Sequence, residues 1–191
     1  NFLGRGQRVG VNVSTAQESE AYSFSFSEPY LLGRNLRFDL DVGLAQTDSS
    51  YAEFDTERVF FTPGLTFQTS ENGRLQTRLN LSESEMIARE VASGADPAAG
   101  PVVNSEIGLG KRSSNGVGLT YTYDSRITGL DQNAGFLVKL DADYAGLSGD
   151  NEFVKTRAKF VTQRLAFREE VTLRATLEAG AFNWLGNGNS R

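Results

Sequence analysis

Two pairs of aspartates have the residue type and spacing that acid–base chemistry needs. Asp39 and Asp41 form one pair, and Asp141 and Asp143 form the other. Residues two apart on a β-strand share a face about 7 Å apart, and glycosidases divide acid and base roles between two carboxylates. However, the chain has no histidine, the commonest general base, and a basic residue stands two positions before each pair. We therefore interpret both pairs as structural charges and expect no catalytic residue and no enzymatic activity.

Two further stretches match ligand-binding loops only in part. In Gly108–Ser114, GLGKRSS, Arg112 stands where a phosphate-binding loop needs Ser or Thr, and Ser105 stands where it needs its first glycine. Asp141–Glu152 has the acids and glycines of a calcium loop, but not the alternating ligand positions of an EF-hand. A strand followed by a tight turn accounts for that stretch. Cysteine is absent as well as histidine, so we expect no metal site and no cofactor.

Charge and hydropathy exclude several classes of protein. The 191 residues include 24 acidic and 19 basic side chains, for a net charge of -5. A nucleic-acid-binding protein normally has a basic surface, so we expect no nucleic-acid partner. No run of about 20 apolar residues is present, which excludes a membrane-spanning helix. The chain starts without methionine or a signal peptide, and this predicts a mature chain or a piece of a longer one.

Hydrophobic alternation with a period of two is the strongest pattern in the sequence. In LRFDLDVGLA, residues 36–45, every second side chain is apolar, as in a β-strand with one apolar face. Nine segments of this kind predict an all-β chain of about nine strands. The predicted strands are 8–16, 22–28, 36–45, 58–69, 75–83, 117–125, 136–146, 151–167 and 171–181.

Short and long connections alternate between the predicted strands. Ser70–Arg74 and Phe167–Val171 are short, whereas Gln46–Glu57 and the stretch 82–114 are long. The alternation predicts an antiparallel up-and-down meander. We expect 82–114 to be a long extracellular loop.

The residues between the apolar positions leave two fold classes open. Mixed charges at mid-strand suit the wet lumen of a membrane barrel, and they equally suit the solvent face of a soluble β-sandwich. Strand length favours the barrel, because sandwich strands average about 5 to 6 residues and transmembrane strands need about 9 to 11. The mid-strand charges are Arg37, Asp39, Asp41, Arg78, Lys139, Asp141, Asp143, Arg157, Lys159, Arg174 and Glu178. The aromatic residues predicted to form interfacial girdles are Tyr22, Tyr121, Tyr123, Tyr144, Phe182 and Trp184.

Five stretches of the sequence follow the order found in one protein family. They are NFLGRGQ (1–7), SFSEPYLLGRNL (25–36), SENGRLQTRLNLSESEM (70–86), LTYTYDSRITGLDQNAG (119–135) and AGLSGDNEFVKTRAKF (145–160). On these stretches the chain resembles the BamA family of outer-membrane β-barrel assembly proteins, in particular its alphaproteobacterial members. The resemblance runs over nearly all 191 residues.

The resemblance implies a location and an architecture. The family has periplasmic POTRA domains before a sixteen-stranded transmembrane barrel, and its later strands carry a VRGF motif. Neither the POTRA domains nor that motif is in this sequence. We therefore expect residues 1–191 to be the first half of such a barrel, strands 1 to 9, integral to the bacterial outer membrane.

The resemblance also implies a function. In the family, the first strand pairs weakly with the last, and its edge templates the final strand of an incoming barrel protein. By match to that strand, the pairing edge would be Gly6, Gln7, Arg8, Val9, Gly10, Val11, Asn12, Val13 and Ser14, with 1–5 leading into it. The implied partners are nascent outer-membrane β-barrel proteins, accessory assembly lipoproteins and the lipid bilayer.

Other functions remain open on the sequence. TamA and the two-partner secretion transporters are relatives that upstream POTRA domains would distinguish. A passive outer-membrane channel is a different class, in which charges in the lumen set ion selectivity. A soluble β-sandwich binding module is a third class, and it predicts a chain that is soluble without detergent.

Overall fold

A computed structural model of the chain describes residues 6–48, 54–88, 101–127, 134–167 and 171–186. These ranges contain nine β-strands and very little helix, so the predicted all-β fold of about nine strands is confirmed. The strands are β1 (Arg8–Ala16), β2 (Ser19–Glu28), β3 (Leu36–Asp48), β4 (Phe54–Gln68), β5 (Gly73–Ala88), β6 (Arg112–Asp124), β7 (Gly135–Gly149), β8 (Phe153–Ala166) and β9 (Val171–Trp184). A 3-10 turn at Leu31–Gly33 lies between β2 and β3.

The strands form one sheet in sequence order, each antiparallel to the next. This is the predicted up-and-down meander. From β3 onward the strands are 13 to 16 residues long, mostly longer than the alternation predicted. Within the described ranges, β1 pairs only with β2, and β9 pairs only with β8. The sheet of the described chain therefore has two free edges.

The predicted bounds of the long connection, 82–114, are wrong at both ends. Strand β5 continues to Ala88 and β6 begins at Arg112, and their ladder pairs Ser82 with Ser114. The sequence pattern missed this extension because Ser82–Glu85 is polar on both faces, whereas backbone hydrogen bonds do not require apolar side chains. Residues 89–100 of the expected loop lie outside the described ranges.

A short helix, α1 (Pro101–Gly108), occupies part of this connection. Proline is favoured at the first position of a helix because its missing N–H has no intrahelical partner there. The Arg112 guanidinium holds the helix to the sheet: it lies 3.2 Å from Glu106 of the helix and 3.0 Å from Asn151 of the β7–β8 turn. No helix among the described residues is long and apolar enough to cross a membrane.

The sheet has one apolar and one polar face, and the polar face is the more buried. On the polar side, Thr120 and Gln163 are 5% and 3% exposed. On the apolar side, Leu119 and Leu140 are 47% and 49% exposed. Side chains converge in this way on the concave face of a curved sheet. We call the polar face the inner face. It carries the even-numbered residues of β1, β4, β5, β6 and β9. It also carries the odd-numbered residues of β2, β3 and β8, and those of β7 up to Ala145. The apolar face is the outer face.

Candidate functional site

The inner face is rich in basic residues, although the whole chain is acidic. On the described strands it carries eleven basic side chains and six carboxylates, whereas the net charge of the chain is -5. The basic residues are Arg8, Arg37, Arg58, Arg74, Arg78, Arg112, Lys139, Lys155, Arg157, Lys159 and Arg174. The acidic ones are Asp39, Asp41, Asp124, Asp141, Asp143 and Glu178. The strands' other carboxylates lie on the outer face and near strand ends, so charge is segregated between the two faces.

The centre of the inner face is an ion-pair network that crosses three strands. Arg78 pairs in register with Gly118, and Gly118 pairs with Asp143. The Arg78 guanidinium reaches past Gly118, placing Nη2 2.5 Å from Asp143 Oδ1 and 3.2 Å from Asp141 Oδ1. A Cβ on Gly118 would lie 2.5 Å from both Arg78 Nε and Asp143 Oδ1. Glycine is therefore the residue that leaves room for this ion pair.

Hydrogen bonds connect the network to β6. Arg78 Nη1 donates to Thr120 Oγ1 over 2.5 Å, and the Thr120 hydroxyl donates to Asp141. Two further cations approach the same carboxylate, with Lys139 Nζ at 3.7 Å and Arg157 Nη2 at 3.8 Å from Asp141 Oδ2. Because Arg78, Asp141 and Asp143 are only slightly exposed and both acids have a cationic partner, the network suits a structural role.

The two aspartate pairs singled out in the sequence therefore lie among basic side chains. Asp141 and Asp143 share Arg78, and Arg37 lies 2.7 Å from Asp39. Asp39 and Asp143 each contact a guanidinium directly, so their charge is compensated within the sheet. This geometry supports the structural interpretation of the carboxylates.

Two of the six aromatic residues predicted to form interfacial girdles do not lie on the outer face, so the prediction is wrong for them. Phe182 pairs in register with Lys155, and Trp184 pairs with Phe153, all on the inner face. These three rings, which we call the aromatic trio, lie 5.0 to 6.4 Å apart between centroids. The alternation of β9, continued to its end, predicts this placement, because Phe182 and Trp184 occupy even positions like Arg174 and Glu178. Tyr22, Tyr121, Tyr123 and Tyr144 do lie on the outer face.

The GLGKRSS stretch is explained by its secondary structure. Gly108 ends α1 and Arg112 begins β6, so no helix begins after the Gly-Lys pair to present free N–H groups to a phosphate. Lys111 instead bonds to Glu83, with Nζ 3.1 Å from Oε1. This hydrogen bond and the negative charge of Glu83 raise the pKa of Lys111 above its usual value.

The acidic stretch Asp141–Glu152 consists of a strand end and a turn, as interpreted from the sequence. Strand β7 ends at Gly149, whose φ of +106° lies in the left-handed region. In the turn that follows, Asp150 Oδ2 accepts the backbone N–H of Ser113 at 2.8 Å. No group of three or more His, Cys, Asp or Glu among the described residues is arranged to hold a metal ion.

The predicted pairing edge, Gly6–Ser14, lies along the first free edge of the sheet. Gly6 has a φ of +80° and is turned against Pro29, while Gln7 hydrogen-bonds to Glu28. From Arg8 onward the residues belong to β1 and pair with β2. Gly10 faces Ser25, whose Oγ would lie 2.5 Å from a Cβ at that position.

Comparison with known proteins assigns a family to this fold. The model of the Omp85 superfamily domain matches residues 1–191. The chain belongs to the Omp85 superfamily. Among solved structures, this Omp85 chain resembles the crystal structure of BamA from Haemophilus ducreyi lacking POTRA domains 1–3, with a TM-score of 0.75 and 17% sequence identity. The match covers 97% of this chain and 37% of that one. No curated protein matches the chain significantly.

The likeness decides between the two fold classes that the sequence left open. A β-sandwich buries its apolar face between two packed sheets. This Omp85 chain has one continuous meander with an exposed apolar face, and it matches part of a BamA barrel over nearly its whole length. The predicted barrel-type fold is confirmed. The β-sandwich alternative is wrong.

Proposed function

We propose that this chain is part of an integral outer-membrane protein that folds β-barrel proteins and inserts them into that membrane. Membership of the Omp85 superfamily and the BamA-like fold support the proposal. The observation that carries it is the combination of long strands, an exposed apolar outer face and a polar inner face. Lipid requires this arrangement of a spanning barrel. The role breaks no covalent bond, so it needs no catalytic residue.

In this proposal, the client pairs with the edge of β1 formed by Gly6–Ser14. A strand edge offers a row of N–H and C=O groups, and adding a strand satisfies them whatever the side chains are. Hydrocarbon offers these groups no other partner. Pairing through the backbone therefore explains how one edge serves clients of different sequence.

On the inner face, few side-chain contacts hold β1 to β2. On the inner face, β1 presents Gly10, Asn12 and Ser14 to a row of small residues of β2. Strands β8 and β9, by contrast, are joined by an ion pair with 2.5 Å between Lys159 Nζ and Glu178 Oε1, and by the aromatic trio. Cross-strand pairs contribute about 0.2 to 1 kcal/mol each. On the outer face, Val9, Val11 and Val13 do pair in register with Phe26, Phe24 and Tyr22, so the weak side of the β1–β2 pairing is its inner face.

The proposed partners follow from the same picture. The outer face meets the lipid bilayer, with Val9, Val11 and Val13 of β1 half-exposed or more. The clients are nascent outer-membrane β-barrel proteins. Accessory assembly lipoproteins belong to the proposal through the family resemblance.

Disulfide crosslinking in the full-length protein tests this function. Val11→Cys on β1 is combined with a cysteine in the last strand of a client barrel protein. We expect a crosslink that forms during client assembly and disappears when assembly is complete. The matched control is Leu119→Cys, on a central strand whose two edges are both paired. A Val11→Cys variant that forms no crosslink to the client at any stage of assembly, or no more than Leu119→Cys does, would contradict the proposed edge.

Related transport functions give different results in the same system. A TamA-like protein would crosslink to autotransporters rather than to general barrel proteins. A two-partner secretion transporter would pass an unfolded polypeptide through its lumen, and a passive channel would show a large stable conductance without any effect on barrel insertion.

A further inference from the structure

Several cations of the inner face have little or no compensation by acids. Arg58 on β4 and Lys155 on β8 form no ion pair within the described part of the chain. Lys139 and Arg157 approach only Asp141, which Arg78 and Thr120 already bind more closely. Lys139 and Arg157 are also 45% and 56% exposed. We call Arg58, Lys139, Lys155 and Arg157 the basic inner surface.

These four cations line one concavity of about 390 Å³, together with polar residues of β5 and β6. Asp141 and Asp143 are the acids in that lining, and Arg78 satisfies both of them. A concave surface with walls of low dielectric focuses the potential of its charges. The concavity therefore attracts negative charge.

The aromatic trio adjoins the basic inner surface. Phe182 pairs in register with Lys155, and Phe153 lines the same concavity. Phe182 is 57% exposed on the inner face. Trp184 Nε1 is buried and has no hydrogen-bond partner among the described residues. The Trp184 N–H is enclosed, so the part of the trio that suits a ligand is the exposed Phe182 ring, which can pack against apolar side chains.

We propose that the basic inner surface and the aromatic trio together bind an acidic polypeptide segment in an extended conformation. An inorganic anion would use the cations alone, whereas a polypeptide supplies carboxylates for the cations and apolar side chains for the rings. Arg58 and Lys155 stand on strands β4 and β8 and yet line one concavity, so a ligand that contacts both must extend across several strands. This inference rests on the proposed function only in requiring that the inner face line a barrel.

Peptide binding to the full-length protein in nanodiscs tests the proposal. The probe is a rhodamine-labelled hexapeptide in which glutamate alternates with phenylalanine or leucine, measured by fluorescence anisotropy. The comparison peptide has lysine in place of each glutamate. We expect the acidic peptide to bind and the basic one not to bind. The double variant Lys155→Gln/Arg157→Gln should weaken binding about tenfold, because each exposed charge contact contributes up to about 1 kcal/mol.

A matched control removes the same two charges elsewhere. Lys111→Gln/Arg164→Gln also neutralises one lysine and one arginine, but neither residue lies on the inner face, so binding should stay unchanged. Phe182→Ser should weaken binding of the acidic peptide several-fold. Inorganic pyrophosphate, which needs only the cations, should compete with the peptide equally well in this variant and in the wild type. Equal binding of both peptides, or unchanged binding to the Lys155/Arg157 variant, would overturn the proposal. So would a Phe182→Ser variant that binds the acidic peptide normally, because the site would then be one for anions in general.

Assembly of client barrels by the same preparations separates the two proposals. Suppose that the variants change peptide binding as expected but the wild-type protein assembles no client barrels. That result would refute the proposed function and leave the peptide site standing. Normal assembly without peptide binding would refute the peptide site alone.

Discussion

Arg78 on β5 and Asp143 on β7 form an ion pair across the strand that separates them, with 2.5 Å between Nη2 and Oδ1. The pair exists because Gly118 of β6, which lies between them in register, has no side chain. Gly118→Val should therefore displace the guanidinium and leave Asp143 without its cationic partner, while Asp141 keeps Lys139 and Arg157 nearby. Since the pair is partly exposed, we expect a loss of about 1 to 3 kcal/mol, less than for a fully buried pair. Urea unfolding of the full-length protein in detergent measures it.

A double-mutant cycle separates this mechanism from general overpacking. Arg78→Met removes the side chain that Gly118 accommodates. If the valine acts by breaking the ion pair, the double variant will lose less stability than the sum of the losses in Arg78→Met and Gly118→Val. Strictly additive effects would mean that Gly118 matters for a reason other than Arg78.

Gly43 has a comparable role on β3, beneath an inward-pointing aromatic ring. A Cβ at this position would lie 2.5 Å from Cζ of Phe60 and 2.8 Å from the backbone oxygen of Tyr22. We expect Gly43→Val to destabilise the protein by about 1 to 3 kcal/mol, the usual range for overpacking. Adding Phe60→Ala should restore part of the stability, but not all of it, because the backbone contact remains. Full restoration would show that the ring alone makes the position intolerant.

The sequence predicted the strands well where apolar and polar residues alternate. Leu36–Ala45 is an example: its apolar positions lie on the outer face as expected. The prediction failed where both faces are polar, as at Ser82–Glu85, because a strand that extends beyond the apolar belt has no hydrophobic pattern. Strand length and the loop bounds were therefore less predictable than strand existence.

Contacts between distant residues were beyond the sequence pattern. The alternation placed Arg78, Asp141 and Asp143 on polar positions, but their contact depends on the register of β5, β6 and β7. Register also makes Gly118 necessary, and nothing local in its sequence indicates this. The position of the pairing edge came from the family resemblance, and it stays a prediction.

Cysteine labelling tests the assignment of faces at the end of β9, where the aromatic girdle was expected. The sequence contains no native cysteine, so Phe182→Cys and Leu177→Cys introduce the sole thiols in this part of the protein. In proteoliposomes, Phe182→Cys on the inner face should react readily with a charged, water-soluble maleimide. Leu177→Cys on the outer face should react much more slowly, because lipid covers it. The reverse order of reactivity would contradict the assignment.

Gly10 provides the test of whether glycine has a special role in the pairing edge. Its Cβ would meet Ser25 Oγ at 2.5 Å, so Gly10→Val should destabilise the pairing of β1 with β2 and slow client assembly. The second variant, Gly10→Val/Ser25→Gly, provides the missing room and should recover the urea stability. If the edge must exchange partners easily, valine will still hinder it, because valine allows fewer backbone conformations than glycine. We therefore expect the double variant to be stable and yet to assemble clients several-fold more slowly than the wild type. Ser25→Gly alone is the control, and a double variant that assembles clients at the wild-type rate would limit the role of Gly10 to its contact with Ser25.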